Sequence, residues 1–212
     1  MKGDPHSVAL EVVYSPRCSL VAGVDEVGRG ALFGPLVAAA VALTEPGSQA
    51  LTALGVTDSK RLTPQRREQL VEPIQAIAIT WALGVATVHD IERVNVLQAT
   101  FLAMDRAIRR LSQTPQLCLI DGNREVPQLQ LPQRAVVQGD QKYVQIAAAS
   151  ILAKVWRDNL IVRLDKRYPG YSLASNKGYG STAHRLALQT FGPTAQHRRS
   201  FKGCSPEQQS LF

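Results

Sequence analysis

Leu20-Val21-Ala22-Gly23-Val24-Asp25-Glu26-Val27-Gly28-Arg29-Gly30 is an apolar run that ends in two acids and a glycine-bearing turn, and a second apolar run, residues 36–43, follows closely. Runs this short, rich in Val and Ala and punctuated by glycine and proline, have the length of buried strands rather than helices. The two read as a pair joined by the glycine turn.

Outward from this pair, strands and helices interleave. Thr63-Pro64 is a helix start, residues 65–75 continue it, and Pro73 stands near the expected end. Residues 77–88 suggest a third strand. Residues 94–111 suggest a long helix with Val94, Leu97, Phe101, Met104, Ile108 and Leu111 on one face. Residues 117–120 form a short strand ending at Asp121, and residues 134–137 another ending at Gln138-Gly139-Asp140. Residues 142 to about 167 read as one long helix with Ile146, Ile151, Val155 and Leu164 on its buried side, and residues 182–190 as a shorter one. The mixture, without internal repeats, predicts the α/β class: a central sheet flanked by helices.

With 45% hydrophobic and 19% charged residues in 212, the chain has the composition of a folded globular protein rather than a disordered one. Charge is unevenly placed. Residues 1–106 carry 9 Lys/Arg against 11 Asp/Glu, whereas residues 107–212 carry 15 against 6, so the second half presents a field that attracts polyanions, nucleic acid above all. A merely solubilising basic surface is the plain alternative. Cys18, Cys118 and Cys204 are widely spaced and odd in number, which supports neither a disulfide framework nor a thiolate zinc site and suits a reducing cytoplasm. No secretory signal or membrane span is expected. No heptad pattern calls for assembly, so the expected state is a monomer.

Asp25, Glu26, Asp121 and Asp140 all fall at expected strand ends, where an α/β sheet places its ligand site. Acids gathered there repel one another unless cations neutralise them, and hard divalent ions, Mg²⁺ or Mn²⁺, match an all-oxygen set. Two such ions can bridge a phosphodiester, activate water and stabilise the leaving oxygen. Because adjacent strand residues point to opposite faces, Asp25 and Glu26 are expected to share the site only if the strand ends at Glu26. Taken singly, Asp140 reads equally well as a helix cap and Asp121 as a turn residue, and capping is the preferred reading for Asp58.

Gly28-Arg29-Gly30 is either a tight turn or a place where backbone approaches a ligand. Without side chains at two positions, main-chain groups can reach a ribose 2′-hydroxyl, the group that separates RNA from DNA. Lys60, Lys154, Lys177 and Arg185 are candidate phosphate contacts, and Ser150 lies one helical turn before Lys154 on the same face. Tyr168, Tyr171 and Tyr179 are interleaved with basic residues, a pattern suited to stacking, although packing beside Pro169-Gly170 is preferred for the first two. The four histidines show no metal or catalytic spacing; His197, in the basic run His197-Arg198-Arg199, is expected near nucleic acid.

The run Gly23 to Gly30 with Phe33-Gly34-Pro35-Leu36 resembles the opening motif of the ribonuclease HII family. So do Asp58-Ser59-Lys60, Asp121-Gly122, Gly139-Asp140, AAASILAK at 147–154 with Arg157-Asp158, Gly178-Tyr179-Gly180, and His197-Arg198-Arg199-Ser200-Phe201, in order along the chain. The resemblance implies a ribonuclease H-like fold with a central mixed sheet and a small helical C-terminal portion. It implies an endoribonuclease that acts on RNA–DNA hybrids and on single ribonucleotides in duplex DNA. Cleavage would fall 5′ of the ribonucleotide, leaving 3′-hydroxyl and 5′-phosphate ends. By the same carry-over, Asp25, Glu26, Asp121 and Asp140 bind metal, and the backbone of Gly28, Arg29 and Gly30 senses the ribose. Tyr179, on the same resemblance, stacks on the deoxyribose at the RNA-to-DNA junction; Lys60, Ser150 and Lys154 are expected, from residue type and spacing, to meet the substrate backbone. Gln138 departs from a frequent Lys and Ser181 from a frequent Thr. Arg29 and the tyrosine motif favour this family over the type 3 enzymes.

The implied division is an N-terminal arm over residues 1–19, a catalytic domain over 20–202 whose helical C-terminal portion begins near 168, and a flexible tail over 203–212. Within that tail, Gln208-Gln209-Ser210-Leu211-Phe212 resembles the peptide that docks bacterial replication and repair proteins on the DNA sliding clamp, with Gln208, Leu211 and Phe212 as anchors. Two other classes compete. A hybrid-binding module without catalysis would have no reason to concentrate acids against phosphate, and a DNA-only nuclease would leave the glycine turn and Tyr179 idle.

Overall fold

The two apolar runs pair antiparallel as β1 (Val21–Val27) and β2 (Leu36–Leu43), with Asp25 opposite Ala39 and Val27 opposite Val37. A computed structural model of the chain describes residues 13–127 and 129–204. Within it, β3 (Thr80–Ala86), β4 (Leu117–Asp121) and β5 (Gln133–Val136) complete a five-stranded sheet of order β3-β2-β1-β4-β5. The β1–β2 and β2–β3 pairs are antiparallel, and β4 runs parallel to both β1 and β5, so the sheet is mixed.

The unbroken apolar character of β2 follows from burial on both faces. Leu36, Ala38, Ala40 and Ala42 belong to one core cluster, and Val37, Ala39, Val41 and Leu43 to the other. The first face is covered by α3 (Val88–Arg109), through Ala99, Ala103, Met104, Ala107 and Ile108. The second is covered by α5 (Val144–Asp165), with α1 (Glu45–Ala53) and α2 (Pro64–Ile77) beside it. A Cβ at Gly23 would stand 2.1 Å from the carbonyl carbon of Gln145, so the glycine is what lets α5 start directly against β1. A short α4 (Gly139–Lys142) precedes α5, and α6 (Leu173–Asn176) and α7 (Thr182–Phe191) form the small helical C-terminal portion. That portion packs on Leu32, Phe33 and Ile161.

Several expected boundaries move. α3 starts at Val88 rather than at 94, because Thr87 and Asp90 form a reciprocal capping box. Asn95 then breaks the helix at φ 70° and ψ 167°, and its side chain accepts from the N–H groups of Leu97 and Gln98, capping the second segment. Of its expected face, Met104 and Ile108 are buried and Val94, Phe101 and Leu111 pack against the same cluster; the alanine row 99-103-107, not expected, lies beside them, since small side chains admit the helix closest to the sheet. α2 runs through Pro73 to Ile77. The expected helix from 142 to 167 is divided at Tyr143, whose backbone is extended. Every residue from Val144 to Ala153 is buried, so α5 enters the core on all sides at its start and an amphipathic stripe underestimates it. α1, capped by Thr44, and α6 were not expected from the sequence. The described end of the N-terminal arm is docked: the Tyr14 hydroxyl donates to the Leu43 carbonyl at 3.0 Å and lies 2.6 Å from Ser48 Oγ. The clamp-like residues Gln208, Leu211 and Phe212 lie outside the described residues.

Candidate active site

β1 and β4 pair only as far as Val24 opposite Ile120, so the next residues, Asp25 and Asp121, emerge side by side at the open end of the sheet. β1 itself does not stop at Glu26, contrary to expectation; it continues to Val27 while still paired with β2. Strand alternation therefore holds, and the two acids straddle the sheet. Asp25 is turned toward α5, near Ser150, and Glu26 toward α3, facing Leu97, Phe101 and Met104. Both still reach one cleft of about 360 Å³, because β4 ends beside them and leaves that flank of β1 open. Asp121 lines the same cleft.

Asp140 is set apart. It is buried at the start of α4 and meets the cleft through Lys60, whose ammonium lies 3.0 Å from its carboxylate. It caps no helix by its side chain; Gln138, in the left-handed region, occupies that position. Its segment is nonetheless tied to the cleft, because the Gly139 N–H donates to Asp121 Oδ1 at 2.8 Å. Among the described residues, no three His, Cys, Asp or Glu side chains gather around a single point. The four acids thus border one region without closing on it, as expected of like charges of which two have cation partners. Those pairs are Arg29–Glu26 at 3.4 Å and Lys60–Asp140.

Electrostatics express the same shortage of positive charge. Burial, then the charges of Glu26 and Asp121, hold the Asp25 carboxyl well above the usual carboxylate range. Burial also raises Glu26, against the Arg29 guanidinium, and raises Asp121, against the Gly139 N–H. Lys60 is raised by its hydrogen bond to Asp140. Oxygen-only donors that are desolvated, mutually repelling and short of cations suit hard divalent ions.

The same cleft is lined by Gly28, Arg29, Gly30, Lys60, Ser150, Lys154 and Tyr179, each of them singled out in the sequence. The two glycines differ in kind. Gly28 sits at φ +91°, and a Cβ there would lie 2.3 Å from Arg157 Nε, so the fold itself requires glycine. Gly30 has no positive φ, and a Cβ added to it meets nothing within 4 Å. Tyr179 is joined to the turn by the isolated bridge between Ala31 and Tyr179, and its ring lies under Lys154 Nζ at 5.8 Å and the Arg157 guanidinium at 5.5 Å. Ser150 Oγ is 2.9 Å from Ser59 Oγ, and both residues line the cleft.

Other expectations divide. Asp58 is a cap, accepting from the Lys60 N–H at 2.9 Å. Tyr171 is buried, with its hydroxyl on the Gly192 carbonyl, and Tyr168 packs edge-on to Phe33, so both serve packing. Lys177 and Arg185 are not in the cleft wall; they bond to the carbonyls of Ala174 and Gly180. His197 is not at a nucleic-acid surface: it is 2% exposed and hydrogen-bonded to His184, because the segment bearing it tucks under Phe33. Ser59 and Arg67 line the cleft although the sequence reading gave them no role. Arg67 belongs to the helix signalled by Thr63-Pro64, but nothing in its spacing announced that it would turn back toward Ser59.

A mixed sheet of this order, with acids at the ends of adjacent central strands and helices on both faces, defines a ribonuclease H-like fold. The crystal structure of ribonuclease H2 from Pyrococcus horikoshii OT3 is similar at a TM-score of 0.77 and 28% identity, covering 90% of this chain and 98% of that one. The PCNA:RNase HII complex from Archaeoglobus fulgidus matches at 0.68 and 28%, covering 84% and 92%. The family model for Ribonuclease HII matches residues 22–204, and a ribonuclease HII of Acaryochloris marina is 62% identical over 184 residues, 87% of this chain and 93% of the relative. The chain belongs to the ribonuclease HII family, with its bacterial members, and is a hydrolase of the endoribonuclease class.

Proposed function

We propose that the cleft incises duplex DNA on the 5′ side of a single embedded ribonucleotide, and cuts the RNA strand of hybrids, leaving 3′-hydroxyl and 5′-phosphate ends. The observation that carries this reading is the meeting, in one cleft, of Asp25, Glu26 and Asp121 with an unobstructed Gly30 and the Tyr179 ring. The acids are the chemical side; the turn and the tyrosine are the discriminating side.

Asp25, Glu26, Asp121 and Asp140 would hold Mg²⁺ or Mn²⁺. Two such ions, when bound, supply charge neutralisation at the phosphate and a water activated for attack. The chain's own residues do the rest. Lys60 and Lys154 counter the phosphates flanking the scissile bond, with Ser150 beside them. The Gly28–Arg29–Gly30 backbone accepts the face of the sugar where a 2′-hydroxyl adds hydrogen bonds that a deoxyribose lacks. Tyr179 stacks on the next, deoxy sugar, where a 2′-oxygen would crowd the ring. Rejection of all-DNA then follows from leaving polar backbone groups unpaired.

The purified protein is expected to nick a DNA duplex containing one ribonucleotide, to lose the activity in EDTA, and to lose it in Asp25→Asn. Persistent cleavage in EDTA would overturn the metal mechanism, and cleavage confined to long hybrids would overturn the single-ribonucleotide reading. Residues 20–202 serve as the catalytic domain of a cytoplasmic monomer, between the arm and the tail. Among the described residues, no helix is long and apolar enough to cross a membrane. The tail is proposed to dock on the DNA sliding clamp; a family member in complex with PCNA is the precedent. Equal recovery on immobilised clamp, with and without Leu211-Phe212, would remove that idea.

A further inference from the structure

Among the described residues, Arg157 and Arg198 are the two largest side chains with no exposure to solvent. Among the described residues, neither forms an ion pair with an acid. Burying a guanidinium without a carboxylate costs several kcal/mol by order of magnitude, and packing alone is met more cheaply by an apolar side chain. Their donors go to backbone carbonyls of one loop. Arg157 donates to Pro35 at 2.9 Å, Phe33 at 3.0 Å and, across the gap, Lys177 at 2.8 Å. Arg198 donates twice to Gly34, at 3.1 and 2.9 Å, and once to Arg29 at 2.9 Å.

The last of these bonds bears on the chemistry. In a trans peptide the C=O and the following N–H point in opposite directions. Drawing the Arg29 carbonyl inward to Arg198 turns the Gly30 N–H away from that guanidinium, on the residue whose surroundings are open and which lines the cleft. Arg157 acts at the other end of the same frame. It spans from the loop to Lys177, two residues before Tyr179, and its guanidinium lies 5.5 Å from the centre of that ring. Backbone bonds repeat the connection: Leu32 and Phe33 N–H groups both donate to the Gly178 carbonyl, and Arg198 N–H to Leu32. Burial and the charge of Arg157 together pull the Arg198 pKa below its ordinary value, consistent with a group held for its hydrogen bonds rather than for a charge partner.

We infer that Arg198 and Arg157 are positioning residues that set the orientation of the Arg29–Gly30 peptide and its spacing from Tyr179, so that the cleft measures one ribose followed by one deoxyribose. The inference rests on the proposed reading of the cleft. It assigns to two buried arginines a role in substrate choice, whereas a purely structural role would weaken all substrates alike.

The test compares kcat/KM for a duplex bearing one ribonucleotide with kcat/KM for a continuous RNA–DNA hybrid, in wild type, Arg198→Met and Arg198→Lys, with melting temperatures measured alongside. The continuous hybrid has no RNA-to-DNA junction within the strand being cut, so it depends less on the spacing to Tyr179. The ratio is expected to fall about tenfold in both variants, because the loss of a buried hydrogen bond lets the peptide turn. Should Arg198→Met fail to fold, Arg198→Lys carries the test, since it keeps the charge but cannot reach the carbonyls of Arg29 and Gly34 as a fork. An unchanged ratio, whether activity on both substrates is kept or is lost in parallel, would overturn the inference. Wild type that leaves the one-ribonucleotide duplex uncut would instead overturn the underlying reading.

Discussion

Alanine at Gly28 and alanine at Gly30, two residues apart in one turn, are expected to have opposite effects on stability. At Gly28 the methyl must adopt φ +91° and enter space 2.3 Å from Arg157 Nε. The left-handed conformation costs about 1–2 kcal/mol for a residue with a Cβ. Arg157 is fully buried and held by three carbonyls, so it cannot swing aside, and overpacking of this kind costs about 1–3 kcal/mol more. The total, roughly 2–5 kcal/mol, is a large share of a domain's net stability. At Gly30 neither cost arises, and removal of glycine's freedom in the unfolded chain gives about 0.4–1 kcal/mol in the other direction. In thermal unfolding, Gly28→Ala is expected to melt about 5–15 °C lower and Gly30→Ala no lower than wild type. Activity should separate from stability. The open space at Gly30 is where the sugar is proposed to sit, and a methyl there is expected to lower kcat/KM on the one-ribonucleotide duplex about 100-fold. A Gly30→Ala protein that cuts like wild type would refute the reasoning about ribose access. A Gly28→Ala protein as stable as wild type would refute the packing argument.

The remaining expectations concern charge and caps. Asp25→Asn should abolish cleavage while raising the melting temperature, since the carboxylate is held above its usual range by burial and by Glu26 and Asp121; a lower melting temperature would count against that electrostatic picture. His197 is buried and neutral, and burial lowers its pKa to about 4 from 6.5. The unfolded chain therefore takes up the proton first, so stability is full above pH 6.5 and is lost as pH falls from there toward 4. Between pH 7 and 4.5 wild type should lose about 2–3 kcal/mol more than His197→Asn in urea unfolding, and parallel curves would show that His197 does not titrate in this way. Asp90, held down to about 2 by Arg106 and the Thr87 cap, acts lower, with stability lost as pH falls from 3.8 toward 2. Thr87→Ala should cost about 1 kcal/mol by removing the start of α3, measured by the same unfolding.

Much of this molecule was legible in one dimension. β2 could be placed to the residue because an unbroken apolar run of strand length has few other uses, and Asp121 and Asp140 could be placed at element ends because apolar runs stop there; Asp25 could not, since β1 continues past it to Val27. Boundaries set by side-chain capping, as at Thr87 and Asn95, were legible only in part, since a cap depends on geometry that spacing alone does not fix. Hydrophobic periodicity found the large buried residues of α3 and α5, such as Met104, Ile108, Ile146 and Ile151, and missed the alanines beside them for one reason: where a helix lies directly on a sheet, closeness of approach selects small residues, and these carry little amphipathic signal.

The sequence by itself determined the chemistry available, namely four acids, a glycine turn and a tyrosine, because those properties reside in residue types. Only the tertiary structure decided that Asp25 and Glu26 straddle β1 yet open on one cleft, that Lys60 holds Asp140, and that His197 and Arg198 are buried while Lys154 lines the cleft wall. The reason is physical. A charge pattern along a chain gives no direction to its side chains, and direction is settled only when strands end in register and distant segments compete for the same backbone carbonyls.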